Sequence, residues 1–108
     1  MKAARSIDRE EAGAPWAAVF DARMRNIANA SLYTDAQQAR GMRMVYALEL
    51  CYKADGIHLN YRKKFIAVKV DNAQIWDRKA LRALEASWGN DVEKIVTKQG
   101  IIYRIKFI

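Results

Sequence analysis

Residues 56–70, GIHLNYRKKFIAVKV, decide the fold because apolar and polar residues alternate along them. A period of two is typical of β-strands, whose successive side chains point to opposite faces of a sheet. The apolar positions on the inward parity are Ile57, Leu59, Tyr61, Ile66, Val68 and Val70. The stretch therefore predicts two strands, and the three consecutive cations Arg62, Lys63 and Lys64 form the tip of the hairpin between them.

The C-terminal residues predict a second hairpin, with strands over 92–97 and 101–108 and a turn at 98–100. In its last strand one parity is apolar, and it comprises Ile101, Tyr103, Ile105 and Phe107. Between the hairpins, Asp71 and Gln74 form a capping pattern that predicts a helix over 73–88, ended by Gly89. The inner face of that helix is expected to contain Trp76, Ala80, Ala83, Leu84 and Trp88.

The N-terminal half predicts two helices. After Pro15, apolar residues recur at steps of three and four, which indicates a helix with one buried face. That face comprises Trp16, Val19, Phe20, Met24 and Ile27. Thr34 and Gln37 form a capping box that starts a second helix, expected to end near Ala54 and, because residues 44–52 are apolar nearly all round, to be packed on two sides. A strand over 42–53 is the alternative, but the composition favours a helix.

Together these elements predict an α+β fold: two N-terminal helices followed by β-β-α-β-β, with a four-stranded, mainly antiparallel sheet and the helices on one face. A chain of 108 residues buries one hydrophobic core, so residues 15–108 are expected to form a single domain. Residues 1–14 lack a sustained apolar stripe and predict a flexible arm or a short helix.

Positive charge is concentrated in the second half of the chain. The formal net charge is +7, and from Gly56 onward there are 11 cations against 5 anions. A field of this sign attracts polyanions such as a phosphate backbone. Phe65 lies beside these cations on the outward parity and could stack on a base. The candidate nucleic-acid-binding residues are Arg62, Lys63, Lys64, Phe65, Arg78, Lys79, Arg82, Lys98, Arg104 and Lys106.

Several classes of site and location are not expected. Cys51 is the only cysteine and His58 the only histidine, so neither a disulfide nor a zinc site of the usual ligands is predicted, and no cofactor is expected. No apolar run approaches the roughly 20 residues of a membrane span, and no export signal is recognised, so we expect a cytoplasmic protein without a membrane partner. A glycine-rich phosphate loop and paired histidine ligands are also missing, which favours a protein that is not an enzyme.

One motif keeps a catalytic alternative open. The end of the second predicted helix, followed by hairpin, helix and hairpin, resembles the LAGLIDADG homing-endonuclease family at Leu48, Ala54, Asp55 and Gly56. Leu50 departs from the motif, since a small residue is usual there. The resemblance implies that Asp55 binds a divalent metal at a helix end and that the strands form a saddle on DNA.

Three functions follow as hypotheses. The first is a small, non-catalytic binding protein whose basic sheet half engages nucleic acid or a nucleic-acid-handling complex. The second is an inhibitor or accessory factor that acts by protein–protein binding, of the kind that phages and plasmids encode. The third is the LAGLIDADG-like, metal-dependent DNA endonuclease. The oligomeric state is left open by the sequence.

Overall fold

Two consecutive hairpins build one antiparallel sheet in the computed structural model, which describes residues 13–107. Its elements are α1 (Gly13–Ala30), α2 (Asp35–Cys51), β1 (Tyr52–Lys53), β2 (Gly56–Tyr61), β3 (Phe65–Asp71), β4 (Gln74–Ile75), α3 (Arg78–Trp88), a 3₁₀ turn (Gly89–Asp91), β5 (Val92–Thr97) and β6 (Gly100–Lys106). The large sheet has the order β2-β3-β6-β5, with every neighbouring pair antiparallel. The predicted α+β fold is confirmed. The predicted N-terminal arm lies almost wholly outside the described residues.

The hydrophobic core lies between the sheet and α2, with α3 packed beside α2. The strand parity predicted from residues 56–70 and from the last strand is confirmed. The core side chains that the sheet and α2 bury most completely are Leu48, Ile66, Val68, Val70, Tyr103 and Ile105. Burial of these side chains is the main favourable contribution to folding.

The second helix begins as predicted but ends early. The Thr34 hydroxyl accepts a hydrogen bond from the Gln37 amide, and the Thr34 amide donates to the Gln37 side chain. The helix ends at Cys51, not near Ala54, because the next two residues pair with β4 in a separate two-stranded ladder. As expected, α2 contacts two neighbours, the sheet and α3. Its apolar stretch is nevertheless not enclosed all round, because Tyr46 and Leu50 are exposed.

The third helix is shorter than predicted. It begins at Arg78, where the Asp77 side chain accepts a hydrogen bond from the Ala80 amide. The segment before it does not continue the helix, because Asn72 has a positive φ of 49° and Gln74–Ile75 pair with β1. Consequently Trp76 lies before the helix and is exposed. Within the helix, Ala83 is also exposed, and Leu81 is the buried residue.

The first helix forms as predicted, but its apolar face is not buried. Trp16 is 71% exposed and Ile27 is 66% exposed. The helix contacts the sheet with a different face: the Asn26 side chain bonds Leu59 O and Tyr61 N, and the Asn29 amide donates to Tyr61 O. These asparagines bond three backbone groups of an edge strand, at Leu59 and Tyr61, which would otherwise be open to another strand. The predicted burial of the α1 apolar face is therefore wrong.

No helix within residues 13–107 is long and apolar enough to cross a bilayer.

Candidate nucleic-acid interface

The loop between β2 and β3 holds three cations on a fixed backbone. The Arg62 amide donates to Phe65 O at 3.0 Å, and the Tyr33 hydroxyl donates to Arg62 O at 2.6 Å. The side chains of Arg62, Lys63 and Lys64 are exposed. No acidic side chain among residues 13–107 forms an ion pair with them. We call these three residues the hairpin tip; its cations are available to an external anion.

Three further candidates lie beside the hairpin tip on the sheet face opposite the helices. Phe65 pairs with Lys106, and the next outward position of β6 is Arg104. The Arg104 guanidinium lies 4.8 Å from the centre of the Phe65 ring. It also donates two hydrogen bonds to Glu93, a contact that lowers the pKa of Glu93 below its usual value.

These contacts give the three candidates unequal roles. Arg104 is occupied by Glu93 and covers one face of Phe65, so both are less available to a ligand than the sequence suggested. The Lys106 ammonium is 61% exposed and lies 3.9 Å from Glu93. Because exposed pairs at this distance contribute little energy, Lys106 can exchange Glu93 for a phosphate.

The other four candidates lie elsewhere. Lys98 is in the β5–β6 turn, at the opposite end of the sheet. Six residues of β6 separate the two ends, which is about 20 Å at roughly 3.3 Å per residue. Arg78, Lys79 and Arg82 are exposed on α3, in the helix layer on the other face of the sheet. The structure therefore divides the ten candidates into three groups.

A partly buried polar network between the sheet and α3 was not anticipated by the sequence. Tyr103 donates from its hydroxyl to Glu85 Oε2 at 2.6 Å and accepts from the Tyr52 hydroxyl at 2.7 Å. The Lys94 ammonium lies 2.8 Å from the same Glu85 oxygen. Burial and the bond to Glu85 raise the pKa of Tyr103 far above its usual value. The sequence does contain a signal for this network: Glu85 follows Leu81 by four residues, which places both side chains on the same face of a helix.

The residues suggested for other chemistry are also located. Asp55 lies in the loop after β1, outside the helix, and its carboxylate accepts a hydrogen bond from the Asn72 side chain. His58 is exposed and bonds Asp71 at 2.8 Å. The thiol of Cys51 is buried; burial, with the charges of Asp77 and Glu85, raises its pKa. Within the described part of the chain, no three His, Cys, Asp or Glu side chains are grouped to hold a metal ion.

Comparison with known proteins finds no significant similarity. No protein-family model matches the sequence, and neither the curated proteins nor the solved structures yield a significant match.

Proposed function

We propose that this protein is a small, non-catalytic nucleic-acid-binding protein and that the hairpin tip, with Lys106, contacts the phosphate backbone. The observation that carries the proposal is the set of three exposed cations without an acidic partner among residues 13–107, on a backbone held by the Tyr33 hydroxyl. Lysine and arginine at such a tip neutralise phosphates and release counterions. A fixed tip loses little conformational entropy when it binds.

The position of the tip supports the same function. The outward sheet face beside it continues through Lys106, so a phosphate chain that contacts the tip can follow the end of the sheet. Contacts of this kind hold the backbone without reading the sequence of bases. We therefore propose binding that depends strongly on salt and weakly on sequence.

A pair of matched variants tests the proposal. The first replaces Arg62, Lys63 and Lys64 by Ala, and the second replaces Arg78, Lys79 and Arg82 by Ala. Each removes three exposed cations, so each lowers the formal charge from +7 to +4. Fluorescence anisotropy with labelled duplex DNA, single-stranded DNA and RNA is measured over a range of salt concentrations.

The expected result is a difference between variants of equal charge. The tip variant weakens binding and lowers the slope of log K against log salt by about 2 to 3, at roughly 0.9 per phosphate contact in B-DNA. The α3 variant changes the slope less. Equal effects would show that overall charge, not the tip, is responsible, and absence of binding by the wild type would refute the proposed function.

A protein partner is the second candidate function, favoured by a different surface. Leu50 is 74% exposed and Trp76 is 68% exposed, and the Trp76 amide donates to Cys51 O, next to Leu50. Exposed apolar residues that lie close together often mark a protein interface. An inhibitor or accessory factor would use this end of the molecule. Pull-down with and without nuclease treatment separates the two functions, because only a protein partner survives removal of nucleic acid.

A further inference from the structure

The apolar face of α1 is exposed, whereas the apolar face of a helix is usually buried against the rest of the protein. Its apolar members, all about half exposed or more, are Trp16, Val19, Phe20, Met24 and Ile27. Trp16 and Phe20 stack on each other with ring centres 5.9 Å apart. Arg23 is the one charged residue within this face. We call these six residues the α1 stripe and propose that a second copy of this chain covers it, with the two α1 helices antiparallel.

The intervals between residues of the α1 stripe are the same in both chain directions. The steps from residue 16 to residue 27 are 3, 1, 3, 1 and 3. In an antiparallel pair centred between residues 21 and 22, Trp16 meets Ile27 and Val19 meets Met24. Each contact then occurs twice, as a two-fold interface requires. A face whose spacing were not symmetric would leave some of these residues without a counterpart.

The single charge of the stripe also fits this arrangement. The same register places Arg23 of one copy against Phe20 of the other. A guanidinium over an aromatic face is favourable, and it becomes more so when water is excluded. No carboxylate of α1 enters the stripe, because Asp21 lies on the opposite side of the helix. In this register each Arg23 has an aromatic partner in the other copy, and the two guanidinium groups lie on either side of the two-fold axis.

The exposed area is sufficient for a weak, reversible pair. Two large aromatic side chains and three aliphatic ones present on the order of 500 Å² per copy, since each aromatic side chain alone can bury about 150 to 250 Å². Covering both copies buries about 1,000 Å² in total, near the lower end for specific interfaces. The segment before α1 is a poor alternative cover, because residues 1–12 contain six charged residues and only Met1 and Ile7 as large apolar ones.

Sedimentation velocity tests the pairing with two single substitutions. The wild type, studied from about 1 to 100 µM, is expected to shift from monomer to dimer as the concentration rises. Phe20→Lys removes an aromatic ring and places a cation against Arg23 of the other copy, so it should weaken the dimer by about 30-fold or more. Tyr46→Lys is the matched control, since it adds the same charge at an exposed aromatic position of α2 and should leave the dimer unchanged.

Cross-linking tests the direction of the pair independently of that substitution. The natural thiol of Cys51 is buried, so introduced cysteines are modified selectively. Mild oxidation should form a disulfide between Val19→Cys and Met24→Cys when the two variants are mixed. It should not join Val19→Cys to itself, because the antiparallel register separates the two copies of residue 19 by about 7.5 Å along the helix. A monomeric wild type at all concentrations, a dimer that survives Phe20→Lys, or equal disruption by Tyr46→Lys would overturn the proposal. Cross-linking of Val19→Cys alone would overturn the antiparallel arrangement.

Discussion

The hydroxyl of Tyr103 donates a hydrogen bond of 2.6 Å to Glu85, and this bond joins the centre of the sheet to α3. Tyr103 is only 1% exposed, and the edge of the Trp88 ring packs against its ring. A carboxylate and two tyrosine hydroxyls thus satisfy each other in a region where an unpaired polar group would be costly. The position of α3 on the sheet depends on this contact as well as on apolar packing.

Replacing Tyr103 by Phe should therefore lower the free energy of unfolding by about 1 to 3 kcal/mol, because the partners Glu85 and Tyr52 lose a buried hydrogen bond. Urea denaturation monitored by circular dichroism measures the change. Tyr46→Phe is the control, since Tyr46 is exposed on α2 and its hydroxyl can bond water. Equal stability of the two variants would show that the network contributes nothing.

The stability should depend on pH through Glu85. Burial raises the pKa of this carboxyl, but the hydrogen bonds from Lys94 and Tyr103 outweigh it and bring the pKa below its usual value. A carboxyl with a lower pKa in the folded state stabilises the fold above its unfolded pKa, and this contribution disappears as pH falls through the folded value. We expect Glu85→Gln to be less stable than the wild type at pH 7, with the difference shrinking below about pH 5. Denaturation curves at several pH values test this, and a constant difference would contradict it.

Neighbouring residues of β6 should respond very differently to truncation. Ile105 is fully buried, so Ile105→Ala should cost about 2 to 5 kcal/mol. Lys106→Ala should stay within about 0.5 kcal/mol, since its side chain is exposed. Arg104→Ala should fall between them, because it loses the pair with Glu93. Thermal melting of the three variants checks the order, and equal loss in Ile105→Ala and Lys106→Ala would refute the assigned strand parity.

The asparagines of α1 should protect the edge of β2. Replacing Asn26 and Asn29 together by Ala removes the side chains that bond the backbone of residues 59 and 61. Hydrogen exchange of the Tyr61 amide should become faster, and the protein should aggregate more readily on heating. Asn90→Ala, exposed before β5, is the control. Unchanged exchange at Tyr61 would mean that α1 does not close this edge.

The endonuclease alternative has a direct test at Asp55. We expect no magnesium-dependent cleavage of DNA by the wild type, because Asp55 lies outside α2 and bonds Asn72. Incubation of plasmid DNA with magnesium, alongside Asp55→Asn, measures it. Nicking by the wild type that disappears in Asp55→Asn would favour the nuclease over the binding protein.

The strands were predictable because their signal is local. Alternation along 56–70 identifies the buried parity and places the hairpin tip without knowledge of any distant contact. The end of α2 and the start of α3 were not predictable in this way. Residues 52–53 pair with residues 74–75, and this contact between separated segments overrides the helix propensity of the residues around it.

The burial of a helix face and the grouping of charges also depend on distant contacts. Spacing alone identified the apolar face of α1, but it could not show that asparagines on a different face attach the helix to the sheet. The same limit applies to the candidate site. That Lys106 lies beside the hairpin tip, and Lys98 about 20 Å away, follows only from the pairing of β3 with β6.

The attachment of α1 makes the two borders of the sheet unequal. One border is closed by asparagine side chains, whereas no strand or helix among residues 13–107 pairs with the outer side of β5. Lengthening of the sheet, whether by exchange of segments between molecules or by fibril growth, is therefore favoured at the β5 side. A proline or lysine introduced at Val96, which is 72% exposed, should therefore reduce aggregation through the β5 edge in concentrated solution.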